Sequence, residues 1–344
     1  MKAAPVLNAL KAHRHVVQTL VHTGQHYDAN MSDVFLEQLG IPVPDVNLAV
    51  GSGTHARQTA EIMTRFEPVL LERKPDLVLV YGDVNSTVAT ALVSTKLGVR
   101  VGHVEAGLRS FDRTMPEEIN RLMTDQLTDM LFTPSEDADV NLRKEGIAAE
   151  KVFRVGNVMI DSLVRLLPIA HRGNVNCHNH NGLPERYALV TLHRPSNVDD
   201  NTTLKNILQS LLDVNRDLAV VFPAHPRTRQ RISAFGLKTD QLRLLDPLPY
   251  VEFLGLQSRA QVVITDSGGI QEETTYLGVP CLTLRENTER PITVSLGTNV
   301  LVGRDPVKLR SELSLVLAGK QKKGTIPPLW DGHAGERIAA VVAG

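Results

Sequence analysis

The feature that most constrains the fold is a series of short apolar runs separated by segments of helical pattern. Runs that are apolar at successive positions suit strands buried on both faces, as in parallel sheets covered by helices. We therefore predict an α/β protein with two doubly wound, Rossmann-like domains facing across a cleft. The predicted strands are Val16–His22, Leu77–Val80, Val99–Val104, Met130–Phe132 and Val152–Val155, followed by Tyr187–Leu192, Leu218–Phe222, Leu242–Leu245, Val262–Ile264, Cys281–Leu284 and Val300–Val302.

The length and a polar interruption predict where the domains meet. A chain of 344 residues exceeds what one hydrophobic core usually organises. From about Leu167 to Glu185 the apolar periodicity is lost, which is typical of a linker. We expect domains at 1–168 and 185–328. Cys177, His178 and His180 in the linker are metal ligands by type, but three crowded residues in a linker do not make the rigid four-ligand frame of a zinc site, so no metal is predicted.

The N-terminal end of the first domain departs from the usual pattern. A doubly wound domain normally begins with its central strand. Here the sequence opens on a helical segment, Pro5–Leu10, before the strand at Val16. We expect the first domain to lack its N-terminal strand and its sheet to be interrupted.

Composition excludes several classes of partner. The net charge is −1, and the sequence has no long basic run of the kind that binds nucleic acid or an anionic membrane. It has no apolar stretch near the roughly 20 residues that span a bilayer. The N-terminal segment does not resemble a signal peptide, so a cytoplasmic protein is expected. Two cysteines far apart, Cys177 and Cys281, exclude a disulfide framework, and Cys281 is predicted in the core.

The segment Thr265–Thr274 predicts a phosphate site. It follows the apolar run Val262–Ile264 and reads as a strand that leads directly into a helix. Ser267, Gly268 and Gly269 would present backbone N–H groups at the positive end of the helix dipole, with no side chain on the glycines to block an anion. Glu272 and Glu273, one turn later, suit sugar hydroxyls, so the segment indicates a nucleoside diphosphate. The alternative is an ordinary glycine-rich turn.

A second glycine-rich segment has a simpler explanation. Gly51–Ala56 matches the dinucleotide fingerprint in form. Thr54, however, stands where a helix extending to Arg65 begins, and a threonine N-cap accounts for the pattern. No nicotinamide or other cofactor is therefore predicted.

Carboxylates follow the strands of the first half. Asp83 and Glu105 come after neighbouring predicted strands, at the sheet edge where such folds bind ligands. Glu117 and Glu118 lie at a helix start that is able to point toward this edge. Clustered carboxylates raise the pKa of at least one of them and make an acid/base pair possible. The alternative is that Asp83 caps a helix and that Glu117 and Glu118 interact with a helix dipole.

Cationic and N–H donors follow the strands of the second half. His193 and Arg194 end one strand, His225 follows another, and Arg290 comes after a third. All are expected at the edge that carries the Ser267 turn, where they would bind a diphosphate. Taken singly, each residue has a structural alternative.

Together these motifs resemble the non-hydrolysing UDP-N-acetylglucosamine 2-epimerases over almost the whole chain. The matching segments are Thr23–His26, Gly82–Asp83, Gly102–Arg109, Pro116–Glu118 with Asn120–Arg121, His193–Arg194, Thr265–Glu273 and Glu289–Pro291. The resemblance implies a glycosyltransferase-B architecture and a homodimer. It also implies that residues 329–344, with a helix near Asp331–Val342, return to the first domain.

The resemblance further assigns roles to individual residues. Catalytic roles fall to Asp83, Glu105, Glu117 and His225. Substrate contacts fall to Lys2, Arg109, His193, Arg194, Phe253, Ser267, Gly268, Gly269, Glu273 and Arg290. Phe253 would lie near the uracil and Glu273 near the ribose. Gln25 and His26 match a regulatory UDP-N-acetylglucosamine site present in some relatives. Neither a metal nor a cofactor is implied.

The implied reaction interconverts UDP-N-acetylglucosamine and UDP-N-acetylmannosamine by elimination and re-addition of UDP. Three other functions stay open at this point: a retaining glycosyltransferase on the same fold, a hydrolysing 2-epimerase, and a UDP-sugar binding protein. The last would be inactive through loss of the family's N-terminal strand and Gly-Thr-Arg-Pro-Glu turn. Sequence leaves the exact 2-acetamido sugar open.

Overall fold

The computed structural model describes residues 1–24, 39–172 and 183–344. These residues form two compact units. The first contains Met1–Ser162 with Pro328–Gly344, and the second contains Leu163–Pro327. The division falls inside a helix, Val158–Arg172, earlier than the expected domain end at residue 168. In the described ranges, no helix is long and apolar enough to cross a membrane.

The first unit is built on a parallel four-stranded sheet whose strands follow chain order. A separate parallel pair of two-residue strands precedes it. Among the described residues no strand pairing joins the two sheets, which is the interruption that the sequence predicts. The pair is β1 (Val21–His22) with β2 (Val46–Asn47), and the sheet contains β3 (Leu77–Tyr81), β4 (Arg100–Val104), β5 (Met130–Thr133) and β6 (Val152–Arg154).

The first predicted strand was too long and one strand was missed. Only Val21 and His22 of the predicted run find parallel partners, in Val46 and Asn47. Val17 is 92% exposed and contributes nothing to a core. The partner strand escaped prediction because two residues are too few to show a period.

The second unit contains one parallel six-stranded sheet in the order β12-β11-β10-β7-β8-β9. The chain passes outward from β7 on one side and returns through β10 on the other, so the carboxyl ends of β7 and β10 are adjacent. This change of direction is where doubly wound sheets bind ligands. The strands are β7 (Tyr187–Thr191), β8 (Ala219–Pro223), β9 (Arg243–Leu245), β10 (Val262–Thr265), β11 (Cys281–Thr283) and β12 (Asn299–Leu301).

Helices connect the strands in both units, which gives each a Rossmann-like α/β structure. In the first they are α1 (Ala3–Leu10), α2 (His55–Arg73), α3 (Asn85–Lys96), α4 (Pro116–Leu127), α5 (Glu136–Lys144) and the start of α6 (Val158–Arg172). In the second they are α7 (Pro195–Val198), α8 (Asn201–Asn215), α9 (Pro226–Ala234), α10 (Tyr250–Gln257), α11 (Gly268–Leu277), α12 (Pro291–Ser295) and α13 (Pro306–Leu317). The last helix, α14 (Ala334–Ala343), belongs to the first unit.

Side-chain chemistry explains the bounds of α2. Its N-cap, Thr54, accepts a hydrogen bond from the backbone N–H of Arg57 at 3.3 Å, so the prediction of a threonine cap is confirmed. The helix continues past Arg65 because Ile62, Phe66 and Leu70 bury one face.

The C-terminal segment is anchored in the first unit. The carboxylate of Asp161 accepts hydrogen bonds from the backbone N–H groups of Ala334 and Gly335 at 3.1 and 2.7 Å, at the start of α14. The buried indole of Trp330 donates to the carbonyl of Pro134 at 2.9 Å. Ile338 of α14 shares a core with Val6 of α1, so the two helices pack together.

Candidate active site

The predicted phosphate turn lies between β10 and α11 in the second unit. Ser267 is the extended N-cap residue of α11, and within the described part of the chain its side chain makes no capping hydrogen bond. Gly268 is buried against the loop that carries Arg290. A Cβ atom at Gly268 would lie 2.5 Å from Arg290 Nη1 and 2.7 Å from Glu289 Oε1. Glycine is therefore required here because a guanidinium packs against the backbone at the start of the helix.

Buried ion pairs give this helix start a positive character. Arg290 pairs with Glu272 at 2.9 Å, and Glu289 accepts from Arg285 at 2.6 Å. Arg194 is 3.6 Å from the same Glu289 carboxylate. Burial would raise the pKa of Glu289, but the charges of Arg290 and Arg285 outweigh burial and lower it, so the group is ionised. The positive end of the α11 dipole and the guanidinium groups near it favour an anion at this helix start.

Two histidines stand beside this turn. The ring centroids of His193 and His225 are 6.4 Å apart. His193 Nδ1 lies 3.0 Å from the Asp266 carboxylate, and its side chain is 45% exposed. His225 is the N-cap of α9, where its Nδ1 accepts from the backbone N–H of Arg227. The second unit thus brings His193, Arg194, His225 and Arg290 to the edge that the sequence predicts.

Asp266 binds the backbone of residues at this sheet edge, a role that the sequence motifs do not predict. It is fully buried and accepts the backbone N–H groups of His193 and Arg194 at 3.1 and 3.0 Å. Burial alone would raise its pKa, but the hydrogen bond and charge of His193 lead the contributions that lower it. The sequence signal for this role is the position of Asp266 at a strand end beside Ser267. An acidic residue there is able to accept hydrogen bonds from backbone N–H groups of the neighbouring strand.

The two glutamates of α11 have different partners. Glu273 accepts the hydroxyl of Tyr250 at 2.8 Å and is 2% exposed. Burial raises the pKa of Glu273 to about 7. Glu272 is paired with Arg290 at 2.9 Å. Tyr250 begins α10, and Phe253 lies one turn later on that helix with its ring half-buried.

The first unit brings its carboxylates to one sheet edge. Asp83 and Glu105 follow β3 and β4, whose last residues, Tyr81 and Val104, are paired. Lys2 Nζ is 2.6 Å from Glu105 Oε2, and a Cβ atom at Gly82 would lie 2.6 Å from that nitrogen. Lys2 therefore sits between the two strand ends. The helix-cap alternative for Asp83 is wrong, because Val84 is the N-cap residue of α3 and Asp83 pairs with Arg121.

Glu117 and Glu118 occupy different environments in the first turn of α4. Glu117 is exposed, whereas Glu118 is 1% exposed. Glu118 accepts the backbone N–H groups of Ser110 and Phe111, both at 2.9 Å, and pairs with Arg121 at 2.7 Å. Burial would raise its pKa, but these hydrogen bonds lower it. Glu118 is thus structural, and its pairing with Arg121 connects α4 to Asp83.

The placement of Arg109 favours a structural role over the expected substrate contact. Its side chain is 1% exposed. The guanidinium binds both carboxylate oxygens of Glu145, at 2.8 and 2.6 Å, and lies 2.7 Å from Asp125. Burial disfavours the charge, yet these partners raise the pKa of Arg109. The motif alone does not reveal this, because Glu145 belongs to a later helix end.

Several other predicted positions have simpler outcomes. Gln25 and His26, and the linker residues Cys177, His178 and His180, lie outside the described residues. Cys281 is fully buried in β11, as predicted for a core residue. Over the described ranges, no group of three His, Cys, Asp or Glu side chains is arranged to hold a metal ion.

Comparison with known proteins identifies the family. The sequence matches the family described as UDP-N-acetylglucosamine 2-epimerase over residues 8–343. A UDP-N-acetylglucosamine 2-epimerase of Methanocaldococcus jannaschii is 44% identical over 351 residues, which cover 99% of this chain and 95% of that protein. A UDP-2,3-diacetamido-2,3-dideoxy-D-glucuronate 2-epimerase of Pseudomonas aeruginosa is 43% identical over 350 residues, with 100% and 96% covered.

A solved structure gives the same result. The crystal structure of the M. jannaschii enzyme in complex with UDP-GlcNAc and UDP matches this chain with a TM-score of 0.92 at 44% identity, covering 99% of this chain and 95% of that one. Sequence and fold agree over nearly the full length. The chain therefore belongs to the UDP-N-acetylglucosamine 2-epimerase family.

Proposed function

We propose that this protein interconverts UDP-N-acetylglucosamine and UDP-N-acetylmannosamine without hydrolysing them. The observation that carries the proposal is the full-length similarity to a M. jannaschii protein whose crystal structure holds UDP-GlcNAc and UDP. The local chemistry supports it, since one unit offers an anion site and the other a set of carboxylates.

The second unit would bind the UDP moiety. In this proposal the backbone at Ser267, Gly268 and Gly269 binds the diphosphate at the positive end of α11. The guanidinium groups of Arg290 and Arg194 and the imidazole groups of His193 and His225 stabilise the charge that develops on UDP as it leaves. Glu273 accepts the ribose hydroxyls, and the backbone near Phe253 contacts the uracil.

The first unit would supply the acid/base groups. The C2 proton of the sugar is not next to a carbonyl and is poorly acidic, so its removal becomes feasible as the C1–O bond to UDP breaks and C1 gains cationic character. We assign proton transfer and stabilisation of this cation to Asp83, Glu105 and Glu117. Lys2 balances the charge of Glu105 and contacts the substrate in this scheme.

The bond changes balance over two steps. In the first, the C1–O electron pair leaves with UDP and the C2 proton passes to a carboxylate, which leaves a 1,2-unsaturated sugar. In the second, UDP adds back at C1 while a proton is delivered to the opposite face of C2. Retention of UDP between the steps prevents hydrolysis.

The decisive experiment follows the C2 proton. The protein is incubated with UDP-N-acetylglucosamine alone in heavy water, and NMR should show deuterium at C2 and formation of UDP-N-acetylmannosamine. Free N-acetylmannosamine with UDP would instead indicate a hydrolysing epimerase. A requirement for an acceptor would indicate a glycosyltransferase, and UDP binding without exchange would indicate a binding protein.

The 43% identity to the P. aeruginosa enzyme favours a second candidate substrate, UDP-2,3-diacetamido-2,3-dideoxy-D-glucuronate. The two candidates differ in the C3 substituent and in the carboxylate at C6. The same exchange assay with each UDP-sugar decides between them, because the better substrate will show the higher kcat/KM.

We further propose that the protein is a cytoplasmic homodimer. A groove of about 560 Å³ on the first unit is lined by α2, α3 and α4, with Met63, Ile119 and Met123 among its apolar side chains. Met123 is 45% exposed, which suits a surface covered by a second copy. Light scattering after gel filtration should give twice the chain mass, and Met123→Asp should halve it. Fractionation of the source cells tests the location.

A further inference from the structure

A buried histidine of the first unit contacts the residue that precedes Asp83 and lies two positions before Glu105. His103 is on β4 and is fully buried. Its Nδ1 is 2.6 Å from Asp125 Oδ1, and its Nε2 is 2.8 Å from the carbonyl oxygen of Gly82. His103 belongs to β4, and its ring therefore connects α4 to the end of β3.

The partners of His103 determine its protonation. A carbonyl oxygen only accepts, so Nε2 carries a proton toward Gly82. Asp125 also accepts the backbone N–H of Gly107 at 3.1 Å and pairs with Arg109 at 2.7 Å. Burial would raise the pKa of Asp125, but the charges and hydrogen bonds of His103 and Arg109 lower it. Asp125 is therefore held by both His103 and Arg109, and the His103 ring is held at both of its nitrogens.

The charges around this ring are balanced within the first unit. Asp125 is shared between His103 and the Arg109 guanidinium, and Arg109 is shared between Asp125 and Glu145. A buried cation is tolerated only when it is paired and hydrogen-bonded in this way. A pure packing role does not need such an arrangement, since an apolar side chain would fill the same space at lower cost.

Gly82 is the point at which this network meets the proposed reaction centre. Its backbone has φ of +67°, it donates to the Val104 carbonyl at 3.0 Å, and it precedes Asp83. Glu105 follows Val104 directly. The hydrogen bond from His103 therefore holds the carbonyl of Gly82, the residue that precedes Asp83. His103 itself lies two positions before Glu105 on the neighbouring strand.

We propose that His103, held by Asp125, is a positioning residue that fixes the Gly82–Asp83 turn and thereby orients Asp83 relative to Glu105 for proton transfer at the sugar. This inference rests on the proposed epimerase function. His103 does not itself contact substrate. Its effect should appear in the rate of the chemical step and not in the binding of UDP, which we assign to the second unit.

Two amide variants separate the two hydrogen bonds. The side-chain nitrogen of Gln reaches approximately the position of Nε2, and that of Asn the position of Nδ1. His103→Gln therefore keeps the bond to Gly82, and His103→Asn keeps the bond to Asp125. Each variant keeps one bond and loses the other, so a difference between them reports which bond matters for the reaction. Ser94→Ala, which removes another fully buried polar group of the first unit, is the control.

We expect His103→Asn to lower kcat by about 10²-fold, the effect of misplacing a reacting group by about 1 Å. His103→Gln should retain most of the wild-type kcat, and both variants should keep the wild-type affinity for UDP in calorimetry. Equal losses of kcat in the two variants, a matching loss in Ser94→Ala, or a fall in UDP affinity would each overturn the proposal.

Two measurements test the inference without activity. The ¹⁵N NMR spectrum of histidine-labelled protein should show a proton on Nε2 of His103, and an Nε2 without a proton would overturn the inference. Crystals of the two variants should show Asp83 displaced in His103→Asn but not in His103→Gln, and an unmoved Asp83 in both would also overturn it. If the wild type exchanges no C2 proton, the proposed function fails, while these two results still decide the role of His103.

Discussion

Replacing Gly268 by alanine tests whether the phosphate turn depends on the guanidinium of Arg290. The added Cβ atom would lie 2.5 Å from Arg290 Nη1, and an ordinary contact begins at 3.4 Å. The guanidinium must therefore move by about 0.9 Å, in a site where Arg290 is 7% exposed and has little room. Overpacking of this kind costs about 1–3 kcal/mol of stability.

The larger effect should be on UDP binding. In the proposed site, a displaced Arg290 would lose the charged hydrogen bond to the nucleotide that we assign to it, which is worth about 1.5–3 kcal/mol. That loss corresponds to a fall of about 10- to 100-fold in affinity. Isothermal calorimetry with UDP measures the affinity, and urea unfolding measures the stability. Gly53→Ala is the matched control, because its Cβ atom would meet nothing closer than 3.9 Å.

A double variant identifies the cause. If the clash with Arg290 produces most of the instability, Gly268→Ala should cost less stability when Arg290 is already alanine, with the remaining cost set by Glu289 Oε1 at 2.7 Å, so the two changes will not be additive. Wild-type UDP affinity in Gly268→Ala, or full additivity of the two stability losses, would refute the reasoning.

Three further predictions concern single side chains. In Asp83→Asn, C2 proton exchange should fall by about 10²- to 10⁴-fold with unchanged UDP affinity, and unchanged exchange by NMR would exclude Asp83 from proton transfer. Because folding raises the pKa of Glu273 from 4.5 to about 7, the wild type should lose stability relative to Glu273→Gln as pH rises through this window, and parallel Tm curves would contradict this. Arg121→Met should lose about 3–5 kcal/mol in urea unfolding, since it leaves the buried Glu118 without its cation. Arg216→Met, at an exposed pair, is the control for this change and should lose less than about 1 kcal/mol.

Local patterns in the sequence predicted the elements that carry the site. The run Val262–Ile264 followed by Ser267, Gly268 and Gly269 predicted a strand leading into a helix, and β10 and α11 have this arrangement. The N-cap role of Thr54 was equally local. Such features depend on residues within one or two turns of each other, so the sequence displays them directly.

Roles that depend on distant partners were not visible in the same way. Arg109 belongs to the same motif as Glu105, but its guanidinium forms ion pairs with Asp125 and Glu145. Glu117 and Glu118 are adjacent and chemically alike, yet only Glu118 is buried against Ser110 and Arg121. No spacing rule distinguishes them, because the difference is set by which residue faces the loop packed on α4.

The α/β class, the order of the elements and the strand ends that carry polar residues could all be predicted from the amino-acid sequence. These follow from hydrophobic period and from glycine and capping chemistry, which act over a few residues. The tertiary structure alone decided which charges are already paired, including Glu272 with Arg290 and His103 with Asp125. Burial makes an unpaired charge costly, so each such partner is selected by folding from residues far apart in the chain, and a local pattern does not contain that choice.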